Sequence, residues 1–301
     1  MPLTALFVPL VESWMASASK NNESICARYA TRFGLDFSLQ QGKPCANKLR
    51  FLTEMHLATV PFDNLRLHGA ASAPVSMEVT ALAHQLLDRR RGGLCFELNG
   101  LFGELLTELG YDVSYVPATM LGVDGENIPH LTLLVNDCEG NTWFTDVGMG
   151  EPPLHPLAFV MDDVQETPDN MKSRLREDDG LILLEWYCPE DSSWETRLKF
   201  SPNHTADPQD FEGALMNVLD VDSCFRRKPV ACKITRQEKV SLVGNTLKRS
   251  HNRFRHDKKE SKYEIETLEK IQNVLHDEFG IPREETLGLN IPSIREYAIR
   301  L

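Results

Sequence analysis

Between positions 44 and 110 the apolar residues recur every three or four positions, the spacing of helices with one buried face. In KPCANKLRFLTEMHLATV they fall at Leu49, Leu52, Met55 and the 57–60 stretch, with Pro44 near the predicted start. VSMEVTALAHQLLDRR puts Val79, Leu82, Ala83 and Leu86 on one face behind Ser76, the expected N-cap. A third helix is predicted in CFELNGLFGELLTELG, where Leu98, Leu101, Phe102, Leu105, Leu106 and Leu109 are spaced for burial and Gly110 is a stop. Gly100 and Gly103 weaken its helix propensity but permit close packing.

From Tyr111 the period changes to two. YDVSYVPATML, HLTLLVN and NTWFTDVG read as strands, with DCEGN a hairpin turn between the last two. The proline-rich, acidic stretch 151–180 breaks the alternation and is expected to be a surface insertion, after which GLILLEWY and SWETRLKF resume the sheet or barrel. Beyond Phe211 come a helix-like DFEGALMNVL, strands in KPVACKIT and EKVSLVG with a Gly244-Asn245 turn, the basic run LKRSHNRFRHDKK, and a final amphipathic helix in TLEKIQNVLHDEFG. The pattern predicts a multi-domain α+β chain: a helical domain over 1–110, a β domain over 111–210 and an α/β domain over 211–301.

Composition narrows what such a chain can do. With 42% hydrophobic and 25% charged residues over 301 positions it is globular. A net charge of −12 opposes binding to nucleic acid or an anionic membrane, so any anionic ligand must meet a local basic patch. No apolar run reaches the roughly 20 residues of a membrane span, and the apolar opening lacks a basic segment ahead of it, so a cytoplasmic protein is expected. The seven cysteines are odd in number, irregularly spaced and without a CxxC pair, and the nine histidines include no HExxH. Reduced thiols and no metal are the expectation.

Cys95 is placed where a Gly92-Gly93 pair hands the chain to a helix. A helix N-terminus favours a thiolate, and its free N–H groups can hold an oxyanion. Position alone leaves a packed sulfur and a nucleophile equally open. His130 begins HLTLLVN, and Asp146 ends the next strand, which the hairpin returns beside His130; each residue alone is also an ordinary strand-end residue. The three together have the elements of a thiol, a base and an orienting acid.

Taken with their order and spacing, PFDNL, RRRGGLCFELNGLFGELLTELGYDV, PHLTLLV and FTDVGMG make the chain similar, over nearly its whole length, to the arylamine N-acetyltransferase family. The resemblance implies an N-terminal helical domain, a central β-barrel and a C-terminal α/β lid around a cysteine-protease-like core, with Cys95, His130 and Asp146 as catalytic triad. It implies ping-pong transfer of an acyl group from acetyl-CoA or another acyl-CoA, through a cysteine thioester, to an arylamine or hydrazine. A cysteine-triad hydrolase or transglutaminase-like enzyme is the alternative. Donor length stays open among acetyl, propionyl and malonyl, as do the amine and the oligomeric state.

The family's glutamate is replaced by Asp63, whose pairing with Arg91 would brace the loop ahead of the nucleophile. Phe62 and Met149 are expected in the substrate pocket, Met149 standing where an aromatic or small residue is common. Of the stretch that touches CoA in relatives only Ser223 is in place, and Asp220 and Asp222 beside it oppose an anion. Arg226 and Arg227, or the basic run 248–259, are the candidate grips on the CoA phosphates; such a run equally reads as a solvated turn.

Overall fold

The structure is a computed structural model that describes residues 23–36, 38–69, 76–122, 125–218, 220, 223–255 and 257–291. The apolar opening of the chain and Asp222 lie outside these. Helix α1 (Ile25–Phe33) is capped by the Ser24 hydroxyl and ends at Gly34, whose φ of 71° suits a residue without Cβ. Helix α2 (Ala46–Thr59) follows Pro44, and the two-residue β1 (Phe62–Asp63) follows α2. Helix α3 (Val79–Ala83) begins later than the serine predicted, because the Ser76 hydroxyl accepts from the Glu78 N–H at 3.0 Å and closes a turn instead. It widens into one π turn, His84–Asp88.

Helix α4 (Cys95–Glu108) is buried nearly all round because it carries apolar side chains on every face. A Cβ on Gly103 would overlap the Tyr115 ring, so this glycine lets α4 lie directly on the first long strand. That strand is β2 (Asp112–Leu121), joined antiparallel to β3 (Asn127–Asn136), which pairs with β4 (Thr142–Thr145).

The stretch 151–180 is not a surface insertion. It supplies β5 (Leu157–Ala158), β6 (Gln165–Glu166) and β7 (Lys172–Asp178), which continue into β8 (Leu181–Cys188) and β9 (Ser193–Phe200). The sheet order is β5-β4-β3-β2-β9-β8-β7-β6. A bridge between Met161 and Leu175 returns the chain after β5 onto β7, so the sheet curls most of the way to a barrel. The stretch is buried through Leu154, Leu157, Met171 and Leu175, and Asp169 is neutralised inside by Arg253.

A short helix, α5 (Glu212–Val218), leads to β10 (Val230–Ile234), β11 (Glu238–Val243), β12 (Thr246–His251) and β13 (Lys259–Glu264). These form a second sheet in the order β1-β10-β11-β12-β13, so one strand comes from the helical region. Helix α6 (Leu268–Phe279), capped by Thr267, covers one face through Ile271, Leu275 and Phe279 against Ala231, Val240, Leu242 and Leu247.

Between α1, α2 and α4 the imidazole of His56 is wholly buried beside Tyr29 and Phe102, and burial pushes its pKa down to about 3. The unfolded chain therefore binds one more proton between about pH 3 and 6.5, and stability falls as pH drops through that window. His56→Phe should remove this term, flattening the loss by up to about 1.4 kcal/mol per pH unit in denaturant titrations. An unchanged slope would mean that His56 is accessible to protons in the folded state.

Candidate active site

The loop before Cys95 is held by main-chain groups. Asp63 accepts from the Gly92 N–H at 2.9 Å and the Leu65 N–H at 3.0 Å, while its own N–H donates to Gly93 O. A Cβ on Gly92 would run into Pro61 O and the Asp63 carboxylate, so the glycine is needed for close approach. Burial raises the Asp63 pKa against the opposing pull of the Leu65 N–H and of Arg91 and Arg66.

The expected ion pair between Asp63 and Arg91 is not formed. Arg91 lies 3.4 Å from Glu285, which also takes two hydrogen bonds from Arg89, at 2.7 and 2.8 Å. The short aspartate spends its oxygens on backbone N–H groups, and the guanidinium finds its partner in the Arg283–Thr286 turn near the other end of the chain. At the start of α4 the Leu94 N–H donates to Glu97, which is buried against Arg66.

His130, on β3 opposite Ala118, donates through Nε2 to Asp146 Oδ2 at 2.7 Å, and both side chains are fully buried. Its Nδ1 is buried without another hydrogen-bond partner, and the Cys95 thiol is the other ionisable group that reaches the ring. Burial alone would lower the His130 pKa; the charges and hydrogen bonds of Asp146 and Cys95 outweigh it and push the pKa up to about 10. Cys95 itself is 3% exposed. The structure thus brings Cys95, His130 and Asp146 together.

A fourth residue holds them there. Asn99 stands four residues after Cys95, on the same face of α4. Its amide donates to Asp146 Oδ1 at 3.1 Å and to Leu131 O at 2.6 Å, and its Oδ1 accepts from the Val147 N–H at 2.8 Å. The Gly148 N–H gives Asp146 Oδ1 another donor at 2.8 Å. The signal for Asn99 was a polar side chain one turn after Cys95 and three residues before Phe102, between two positions spaced for burial.

The remaining candidates are spread around this centre. Phe62 packs near Phe225, with ring centroids 6.4 Å apart, but Met149 is packed into the barrel core with Val116 and Phe144 rather than lining a pocket. Ser223 caps a short turn, Cys224–Arg226, and with Pro129, Phe225 and Arg227 lines a cavity of about 410 Å³. Arg226 donates to Asp220 O and Leu67 O, and Arg227 pairs with Glu126 at 2.7 Å. Among the described residues no cluster of His, Cys, Asp and Glu could hold a metal ion, and no helix is long and apolar enough to cross a membrane.

Known proteins share this arrangement of elements. The chain is 30% identical over 195 residues to the arylamine N-acetyltransferase / N-hydroxyarylamine O-acetyltransferase of Salmonella typhimurium, spanning 64% of this chain and 68% of that protein. It is 26% identical over 266 residues to the liver isozyme of arylamine N-acetyltransferase from Gallus gallus, covering 79% and 90%. Its fold superposes on Mycobacterium marinum arylamine N-acetyltransferase in complex with CoA with a TM-score of 0.77 at 25% identity, covering 89% of this chain and 99% of that one. A family model described as N-acetyltransferase matches residues 46–287, and with these relatives it establishes that the chain belongs to the arylamine N-acetyltransferase family.

Proposed function

We propose that the chain is an acyl-CoA-dependent arylamine N-acetyltransferase that carries the acyl group on Cys95. The supporting observation is the buried series Asp146, His130, Cys95 at the amino end of α4, in a chain whose relatives bear that name. His130 takes the thiol proton, and the thiolate attacks the acyl carbonyl. The N–H groups at the start of α4 face the developing oxyanion. The CoA thiolate leaves with the proton from His130, giving free CoA and a thioester on Cys95. An arylamine or hydrazine then attacks that thioester, His130 accepts the amine proton, and it returns the proton to the Cys95 sulfur as the amide departs. The division near residues 110 and 210 into nucleophile-bearing helices, a barrel with His130 and Asp146, and a C-terminal lid belongs to the same reading.

Quenching the protein with labelled acetyl-CoA tests it. One acetyl group should appear on the peptide containing Cys95 and be discharged on adding an arylamine, with the label recovered in an amide. Discharge to water at the same rate with and without amine would make the protein a hydrolase; label on another cysteine would sink the assignment. Iodoacetamide at low excess should modify Cys95 before the other six cysteines and abolish transfer, with acetyl-CoA protecting. Because His130 stays protonated up to about pH 10, that modification should show no step at the ordinary imidazole value near 6.5.

A further inference from the structure

Helix α1 carries two buried arginines on one face, a single turn apart. Arg28 is satisfied: its guanidinium donates to both oxygens of Asp88, at 3.2 and 2.7 Å, which ties the loop around Asp88 to the helix. Arg32 is not. It is 9% exposed, its Nε and Nη2 are buried without a hydrogen-bond partner, and among the described residues it makes no ion pair.

The groups around it are other donors and a helix end. Arg90, two residues beyond Asp88, acts on Arg32 by charge, as does the Tyr29 hydroxyl, which burial holds neutral; no carboxylate among the described residues does. Gly280, the cap of α6, lies against the same guanidinium, with 3.9 Å between Nη1 and the place of a Cβ. Lys233, on β10, donates to Glu278 O, two residues before Gly280, and feels the Arg32 charge. It thereby answers the negative end of α6. The carboxylates that reach Lys233 are Glu238 and Glu278, and Arg249 engages both, at 3.0 and 2.5 Å. His56, which also feels the Arg32 charge, keeps Nε2 buried and unpartnered.

Burial and Arg90 push the Arg32 pKa down to about 10, which leaves the side chain cationic at neutral pH. A guanidinium that stays charged cannot relieve its desolvation by losing a proton, so it calls for a counter-charge. Water would satisfy the donors and leave the charge unanswered. A planar fork with two further cations beside it matches a compact oxyanion. We infer that Arg32, Arg90 and Lys233 form a binding site for a small oxyanion of the phosphate or sulfate class, lodged where the end of α1 meets β10 and the carboxyl end of α6. The ion joins the helical region to the second sheet. The site is independent of the transferase reading.

The probe is inorganic phosphate, titrated against chloride at constant ionic strength while urea unfolding is followed by circular dichroism. The wild-type midpoint should rise as phosphate passes from about 0.1 to 10 mM, as for any ligand held by the folded state alone. Sulfate should act similarly and chloride should not. Arg90 is exposed, so Arg90→Gln should keep the phosphate-free midpoint; losing one charge-assisted contact should weaken the apparent phosphate affinity about tenfold. Arg32→Gln should abolish the shift, and Arg90→Gln decides the matter where that buried change prevents folding. Equal shifts by phosphate and chloride, or a phosphate response of the same affinity in Arg90→Gln, would overturn the site. Saturating CoA should leave the phosphate shift in place; its disappearance would put the ion where the donor's own phosphates bind and overturn the assignment.

Discussion

Asp146→Asn is expected to lower single-turnover acetylation of Cys95 about 10⁴-fold, by analogy with the orienting aspartate of a serine triad, while the protein stays folded. The carboxylate is surrounded by donors: His130 Nε2 on one oxygen, and the Asn99 amide and the Gly148 N–H on the other. An asparagine fills the same space but must turn its NH₂ towards at least one of them. It also removes the negative charge that holds the buried imidazole protonated, and burial, which works the other way, then dominates. His130 should become neutral near pH 7, and Cys95 should lose its cationic neighbour. Rapid-quench acetylation checks the rate and circular dichroism the fold; a loss under tenfold would mean that another group orients His130.

Gly148→Ala should be nearly as damaging for a different reason. A Cβ there would lie 2.6 Å from Cys95 Cα and 2.8 Å from Asn99 Nδ2, so relief requires the start of α4 or the end of the barrel strand to move. Overpacking of this kind costs about 1–3 kcal/mol of stability. Displacing a nucleophile by about 1 Å costs on the order of 10²-fold in rate. Gly150→Ala is the control: its nearest neighbour is Phe62 at 3.9 Å, but its φ of 72° strains any side chain. That variant should lose about 1–2 kcal/mol of stability, with a much smaller fall in rate. Equal rates for the two variants would contradict a nucleophile seated on Gly148.

The α2 and α4 helices and the β3–β4 hairpin were legible because their apolar residues are dense and regularly spaced, although α4 and β3 are buried on more than one face. The 151–180 region misled for the opposite reason. β5 and β6 are two residues long, β7 turns Ser173 inward, and Asp169 is buried against Arg253, 84 residues away. None of that leaves an apolar rhythm. The grouping of Cys95, His130 and Asp146 was legible from the order of their motifs. Asn99 was not, since a lone amide in a helix looks like a solvent-facing residue until the strand it grips is known, and Met149 followed its apolar character into the barrel. The partner of Arg91 was hidden by distance along the chain: the loop and the Arg283–Thr286 turn meet only in the folded molecule.

That last contact sets an order of events during synthesis. At about 5–20 residues per second a ribosome needs roughly 10–40 s to travel from Cys95 to Glu285. Until then Arg89 and Arg91 lack the Glu285 carboxylate, and β1 lacks the partner strand β10 for most of the same interval. The nascent chain therefore carries Cys95 long before the Glu285 contact to the loop ahead of it can form.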